Sequence, residues 1–468
     1  MDSNNAYNPR PRRMTLAPLR NVAFRRIWMS LQIFYLGWFV QTIAITSLMI
    51  KISSSDIMIA LVPATTTSPP LFLSIIAGAV ADNFGRRLLM LAGLCLIAIA
   101  SILLALSVTM DFATPWLVLG LSFLAGCGIA VYEPGWHASV GDLFEESDIQ
   151  TAVTLVSVGF NISRSIAPAL GGAILALLFP LAAFGVSATC TVTAIWAVWR
   201  NKWPTRSSPL PPERIATAIH NGLRFAALTS DLRALMIRAF LFGLAASSIL
   251  ALLPLVAQDR AAGDPIVLGI LWTAFGTGAC MAGLSSGGLR ISLPGELLTA
   301  LASIACAVCC LALALTSSVI VGTIALAIGG GGWLITWSGF DGWVQKASPR
   351  WVLGRLYSIY YTVLCGSLAA GSWFWGFVAE AHTLHFAFIW AAVALLIVAA
   401  IGFLFPAHLP AVGDHCCSAT PALGFPLDLA LGSGPIIVRT EYLIERTKRM
   451  PPHNSIKVMD RGRLDDQE

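Results

Sequence analysis

The chain has 468 residues, of which 57% are hydrophobic and only 11% charged, with a mean hydropathy of +0.77 and a net charge of +5. A soluble domain carries about 25% charged residues, so there is too little charge here to coat a water-facing surface, and lipid is the expected solvent for most of the chain. The basic surplus sits in short patches between apolar runs, which excludes a continuous nucleic-acid-binding face, and ten cysteines without a paired CxxC spacing exclude a disulfide or zinc framework.

The first segment, 1–26, is a polar, basic arm with Arg10, Arg12, Arg13, Arg20, Arg25 and Arg26. The apolar run behind it has no small-residue cleavage pattern, so no removable signal peptide is expected. A membrane span needs roughly 20 apolar residues, because the hydrocarbon core is about 30 Å thick and a helix rises 1.5 Å per residue. Twelve runs meet that length: 27–50, 56–80, 88–109, 114–137, 150–175, 178–199, 234–257, 265–288, 296–316, 318–343, 356–379 and 384–405. The fold class expected is therefore an all-α membrane protein of twelve transmembrane helices. A polar loop, 200–233, with Pro204, Pro209, Pro211 and Pro212, divides the spans into a six-helix half at 27–199 and another at 234–405. A polar tail, 406–468, follows; within it 435–442 alternates like a strand but is too short to form a domain of its own.

Lys and Arg set the expected orientation. They crowd into the arm, the 200–233 loop, the tail and the loops at Arg86–Arg87, Arg290 and Lys346–Arg355, whereas the opposite side has only Lys51 and Arg260. Both termini and the central loop are thus expected to face the cytoplasm of a cell (inner) membrane.

Three patches carry a family resemblance. After the second span the chain reads Gly78-Ala-Val-Ala-Asp82-Asn-Phe-Gly85-Arg86-Arg87. Gly85 suits a tight turn, Asp82 can cap the next helix and hold a cation, and the arginines anchor the loop. This pattern resembles the loop signature of the major facilitator superfamily, in which it latches one conformation. The second half offers only a degenerate counterpart around Gly283 and Arg290, without an acid. The fifth span contains Ala167-Pro168-Ala-Leu-Gly171-Gly172, similar to a motif of exporters in that superfamily, whose proline and glycines allow close helix packing. Finally, Gln345-Lys-Ala-Ser-Pro349-Arg350-Trp-Val-Leu-Gly354-Arg355, with Gly371 to Gly376 beyond it, resembles the branch called transmembrane secretion effectors, which includes the enterobactin exporter and related drug exporters. The resemblance covers roughly 20–406. Some members of the branch carry a C-terminal domain resembling antibiotic-biosynthesis monooxygenases; residues 434–449 resemble only its first strand, and no oxygenase activity is assigned to them.

Charges within the spans are the candidate substrate and coupling residues. Arg164 lies near mid-membrane, where a charge costs at least about 2.5 kcal/mol and is by default functional; it either faces a cavity or bonds neighbouring carbonyls. Glu133 and Asp341 are acids near span ends that could carry a proton or be solvated at the interface, and Asn161 stands one turn before Arg164. Drug–proton antiporters often have an Arg in the fourth span; Ser122 stands at that place, so their coupling scheme does not transfer. Trp38, Phe39, Trp272, Trp333, Trp337 and Trp373 are available to line a cavity or to face lipid. His382-x-x-His385 lacks a third ligand, Gly329 to Gly332 are packing or hinge glycines, and no Walker loop is present.

The resemblance and the residues together imply a secondary transporter: a proton-coupled exporter of amphipathic small organic molecules, siderophore or drug-like, working by alternating access as a monomer. The alternatives are an importer of a small solute or iron chelate with the same fold, and a non-transporting sensor or scaffold. No enzyme activity, cofactor, metal or catalytic residue is expected; the partners are a small-molecule substrate, the lipid bilayer and the proton.

Overall fold

The computed structural model describes residues 17–73, 86–143, 146–178, 180–200, 224–225, 227–347 and 353–404. Among them, twelve helices are long and apolar enough to cross a membrane. In chain order they are α1 (Val22–Ile52), α2 (Asp56–Leu73), α3 (Arg86–Thr109), α4 (Pro115–Leu143), α5 (Glu146–Leu177), α6 (Pro180–Arg200), α7 (Ser230–Ala261), α8 (Pro265–Ser292), α9 (Gly295–Leu315), α10 (Val319–Ala347), α11 (Leu353–Ala381) and α12 (Leu384–Leu404). A short 3₁₀ turn, Ala17–Arg20, precedes α1. No strand occurs among the described residues. In hydrocarbon every backbone N–H and C=O must be satisfied within its own segment, which a helix achieves and an open strand does not.

The chain folds as two six-helix bundles. In the first, α1 packs on α5 and α6, and α3 on α4 and α6. In the second, α8 and α9 pack on α10, α9 on α12, and α7 on α11. The halves meet along two seams, α5 against α8 and α2 against α11. Since successive helices reverse direction, the loops fall at two ends. One, here the Ser55 end, carries the α1–α2, α7–α8 and α11–α12 connections; the other, the Trp199 end, carries the start of α1 and the end of α6.

Proline interrupts two spans without ending them. α2 contains Pro63 and breaks at Ser68, just before Pro69-Pro70; Thr66 and Thr67 recapture the Pro63 carbonyl through their hydroxyls, at 2.9 and 3.0 Å. α5 runs through Pro168 unbroken. Polar side chains bind the first half internally. Gln41, buried on α1, accepts hydrogen bonds from Ser101 of α3 at 2.6 Å and Ser187 of α6 at 2.5 Å. Trp28 of α1 donates to the Leu155 carbonyl of α5 at 3.1 Å. Outward-facing Ile, Leu, Val and Phe side chains lie exposed along the bundle, with Trp116 and Trp199 exposed near opposite ends. That is the surface expected of a protein solvated by lipid, with aromatic rings at its margins.

Candidate functional site

The α5–α8 seam is made of small residues. A Cβ at Gly269 would lie 2.6 Å from the Pro168 carbonyl oxygen, and a Cβ at Gly276 would lie 2.6 Å from that of Arg164. Gly172 meets the Pro265 carbonyl in the same way, whereas Gly171 faces the other side of α5 and abuts Val40 of α1. Three successive turns of α5 therefore touch α8 backbone to backbone, an approach that only glycine permits. On the opposite seam Gly376 of α11 receives Ile57 and Ala60 of α2.

At the first seam, near its centre, the Arg164 guanidinium lies 4.8 Å from the centroid of the Phe275 ring of α8. The residue is partly exposed. Among the described residues no carboxylate pairs with it and no carbonyl accepts from it; the ring is its one contact. Phe275 in turn meets Trp333 of α10 edge-on, centroids 5.9 Å apart, and Trp333 stacks on Trp337 at 5.9 Å. A cation of the first half thus meets a row of rings in the second. Along α5, one turn before Arg164, Phe160 packs on Tyr35 at 4.9 Å and Phe39 at 5.6 Å. Asn161 lies on the same helix, partly buried.

The acids form a second group. Glu133 of α4 lies among tyrosines, with Tyr361 of α11 close to it and Tyr35 and Tyr357 also near. Since α4 and α11 belong to different halves, the Glu133–Tyr361 contact crosses between them. Asp341 of α10 lies beside Tyr357 and Tyr360. Sequence reading singled out the two acids and the arginine but not the tyrosines or Phe275. A tyrosine in an apolar run carries no local mark, and Tyr361 belongs to a span of the other half from Glu133.

The remaining candidates fall as follows. Gly78, Asp82, Gly85, Pro349 and Arg350 lie outside the described residues, as does the whole tail with its strand-like segment. Arg86 begins α3, and Arg87 beside it donates to the Trp199 carbonyl, tying the start of α3 to the end of α6. Gln345 ends α10, while Gly354 and Arg355 begin α11. Ser122 is buried and bonds its own helix at Val118. Trp38 faces a small cleft with Gln41 and Pro63, and Trp373 is exposed, stacked on Phe377. His382 and His385 are both exposed, and among the described residues no group of three His, Cys, Asp or Glu is placed to hold a metal ion.

Three features had no sequence signal. Arg238 of α7 makes a two-pronged ion pair with Glu296 of α9, at 3.0 and 2.6 Å, and covers Trp343 of α10 at 4.9 Å. Arg260 donates to the Leu313 carbonyl. At the Ser55 end, Glu380 of α11 accepts from the Ser55 hydroxyl at 2.5 Å and the Ile57 N–H at 2.9 Å, so a carboxylate from one half caps the first turn of a helix in the other.

Comparisons with known proteins agree with this architecture. A family profile described as "Transmembrane secretion effector" matches residues 13–465. A curated relative, the staphyloferrin A transporter of Staphylococcus aureus (strain NCTC 8325 / PS 47), is 29% identical over 171 residues, or 34% of this chain; the match spans 41% of that relative's length. Among solved structures, the nucleoside transporter NupG aligns with a TM-score of 0.67 at 12% identity, covering 82% of this chain and 99% of NupG. A bacterial homologue of the human lysosomal transporter Spinster aligns at 0.62 and 15%, covering 83% and 97%. At such identities these structures establish the fold alone, and that fold is the major facilitator fold.

Proposed function

Because the chain belongs to the transmembrane secretion effector family of the major facilitator superfamily, we propose that this multi-pass membrane transporter is a proton-coupled exporter of amphipathic small organic molecules, siderophore or drug-like. Membership and the all-transporter company of its neighbours make it a transporter and not an enzyme. Export is supported by the family's description and the cargo class by the staphyloferrin A transporter. The Lys/Arg distribution supports placement in the cell (inner) membrane with both termini cytoplasmic, so that the Trp199 end is the inner end.

The observation that supports the coupling is the placing of Glu133 of one half near Tyr361 of the other, where a hydroxyl and a carboxylate can bond as the halves close. An ionised carboxylate accepts a strong hydrogen bond from a tyrosine hydroxyl; a protonated one competes as a donor and accepts more weakly. Proton binding at Glu133 therefore loosens a contact that must break when one half rocks against the other, and the two events are linked. Asp341 beside Tyr357 and Tyr360 is a second proton-carrying position within the C-terminal half. The family resemblance assigns the latch role to Gly78, Asp82, Gly85, Arg86 and Arg87 and a cytoplasmic-loop role to Gln345, Pro349, Arg350, Gly354 and Arg355, and the protein works as a monomer.

The test is transport in inverted membrane vesicles with an imposed inside-acid gradient, using fluorescent amphipathic probes with anionic, neutral and cationic head groups. The expected result is accumulation of at least one probe, collapse with a protonophore, and loss of the gradient dependence in Glu133→Gln. Accumulation only in right-side-out vesicles would make the protein an importer, and gradient-independent movement in the unaltered protein would end the coupling reading.

A further inference from the structure

We propose that Arg164, backed by Phe275, is an anion-binding subsite to which the cargo presents a carboxylate or similar oxyanion, with the Trp333–Trp337 stack beyond Phe275 available to a flat apolar group of the same cargo. The inference rests on the transporter reading above and narrows its substrate class.

Arg164 lies within α5, and Arg238 and Arg260 within α7. Arg238 is matched by both oxygens of Glu296, and Arg260 donates to the Leu313 carbonyl. Arg238 thus has the paired carboxylate that a cation removed from water requires, whereas Arg260 has a carbonyl on Nη2 and no partner on its buried Nη1. Arg164 sits deeper than either, eighteen residues into α5 and thirteen from its end, and among the described residues it has neither a carboxylate nor a carbonyl. A structural arginine would have taken one of the carbonyls that lie close at hand in this crossing. The two candidate acids lie instead among tyrosines, Glu133 near Tyr361 and Asp341 near Tyr357 and Tyr360. The Phe275 ring attracts the guanidinium through its negative face but does not neutralise it. The positive charge is left over, partly exposed towards the interior, with its hydrogen-bond donors unused.

An uncompensated guanidinium in a low-dielectric seam discriminates strongly by charge. A carboxylate there gains charge-assisted, two-pronged hydrogen bonds, a neutral amide gains only the hydrogen bonds, and a cation is repelled. The rings supply the second half of the recognition. Phe275 and Trp333 are buried and fixed by their neighbours, while Trp337 is partly exposed at the end of the row. A planar apolar group joined by a spacer to an anionic group on Arg164 would reach Trp337 past Phe275 and Trp333. Position adds a consequence. The Arg164 backbone is itself the contact point with Gly276 of the other half, so an anion seated on the side chain acts at the crossing about which the halves move.

The experiment compares 2-naphthoate, 2-naphthamide and 2-naphthylmethylammonium, which share a ring and differ in head-group charge. Binding to the purified full chain in detergent is read by quenching of tryptophan fluorescence and by the shift in thermal unfolding. The expected order is naphthoate at least tenfold tighter than naphthamide, with the ammonium weakest. Arg164→Gln is expected to abolish the preference for naphthoate, and Arg164→Lys to retain most of it. Equal binding of naphthoate and naphthamide to the unaltered protein overturns the proposal, as does a preference that survives in Arg164→Gln. Should Arg164→Gln fail to fold, the ranking in the unaltered protein and in Arg164→Lys decides. These measurements involve no translocation: an anion preference in a protein that moves no probe in vesicles would sink the transport reading and leave the subsite standing, and transport without an anion preference would do the reverse.

Discussion

Arg164 and Arg238 carry the same charge into one bundle each and differ in everything that decides its cost. Arg238 is only 8% exposed and its partner Glu296 25%, and their two-pronged pair is covered by Trp343. Removing one member of such a pair strands the other, so Arg238→Ala is expected to lower stability by roughly 3 kcal/mol, whereas replacing both by Met and Leu costs far less. Unfolding of the purified variants in detergent checks this, and equal losses in the single and double variants would count against it. In the sequence both arginines stand inside predicted spans. Arg164 drew attention by its depth, which is a local property. Arg238 did not, because a long side chain four residues from the start of a predicted span reads as one that reaches the interface, and Glu296 is fifty-eight residues away.

At the scale of the helices, glycine placement determines which spans touch. The run Gly329 to Gly332 in α10 faces two helices: Gly329 receives Cys309 and Gly332 the Ala302 carbonyl of α9, while Gly330 receives the Phe275 carbonyl of α8. The Cys306 thiol donates to the Gly329 carbonyl at 3.5 Å, so the Cys306-x-x-Cys309 pair packs against this run. The seam between the halves follows the same rule. A Cβ at Gly276 would meet the Arg164 carbonyl oxygen and the Ser165 Cα, 2.6 and 2.9 Å away, and neither atom belongs to a flexible side chain. Gly276→Leu is therefore expected to cost about 1–3 kcal/mol of stability and to stop transport. Gly120→Ala and Gly185→Ala, where a Cβ meets nothing within 4 Å, should leave both unchanged. Unfolding and vesicle transport measured on all three variants test the contrast, and an unaffected Gly276→Leu would refute it. The Pro168-x-x-Gly171-Gly172 pattern indicated a helix able to pack closely; that α8 is the partner of Gly172 and α1 the partner of Gly171 depended on how the halves assemble.

For the whole molecule the question is what holds the two halves together at each end. At the Ser55 end it is the Glu380 carboxylate on the first turn of α2, joining the Ser55 hydroxyl and the Ile57 amide. A carboxylate at a helix N-terminus is favoured by the exposed N–H groups and by the helix dipole. Glu380→Gln keeps the shape and removes the charge, so it is expected to shift the equilibrium towards states open at the Ser55 end by roughly tenfold, corresponding to about 1.4 kcal/mol. Distances between spin labels at Ser53 and Thr383 report it: a longer, broader distribution is the expected result, and an unchanged one would remove Glu380 from any gating role. The twelve spans and the two-half architecture were legible in the sequence because a span is specified within itself, by about 20 apolar residues and a helix that satisfies its own backbone. The loop and span motifs pointed to the family for the same reason, being short and contiguous. What only the tertiary structure decided is which charges are answered. Glu133 finds Tyr361, Arg238 finds Glu296 and Glu380 finds the start of α2 across separations of 58 to 323 residues. A guanidinium without a partner looks the same in the sequence as one with a partner, since pairing is a property of two distant segments brought together by packing and of neither one alone.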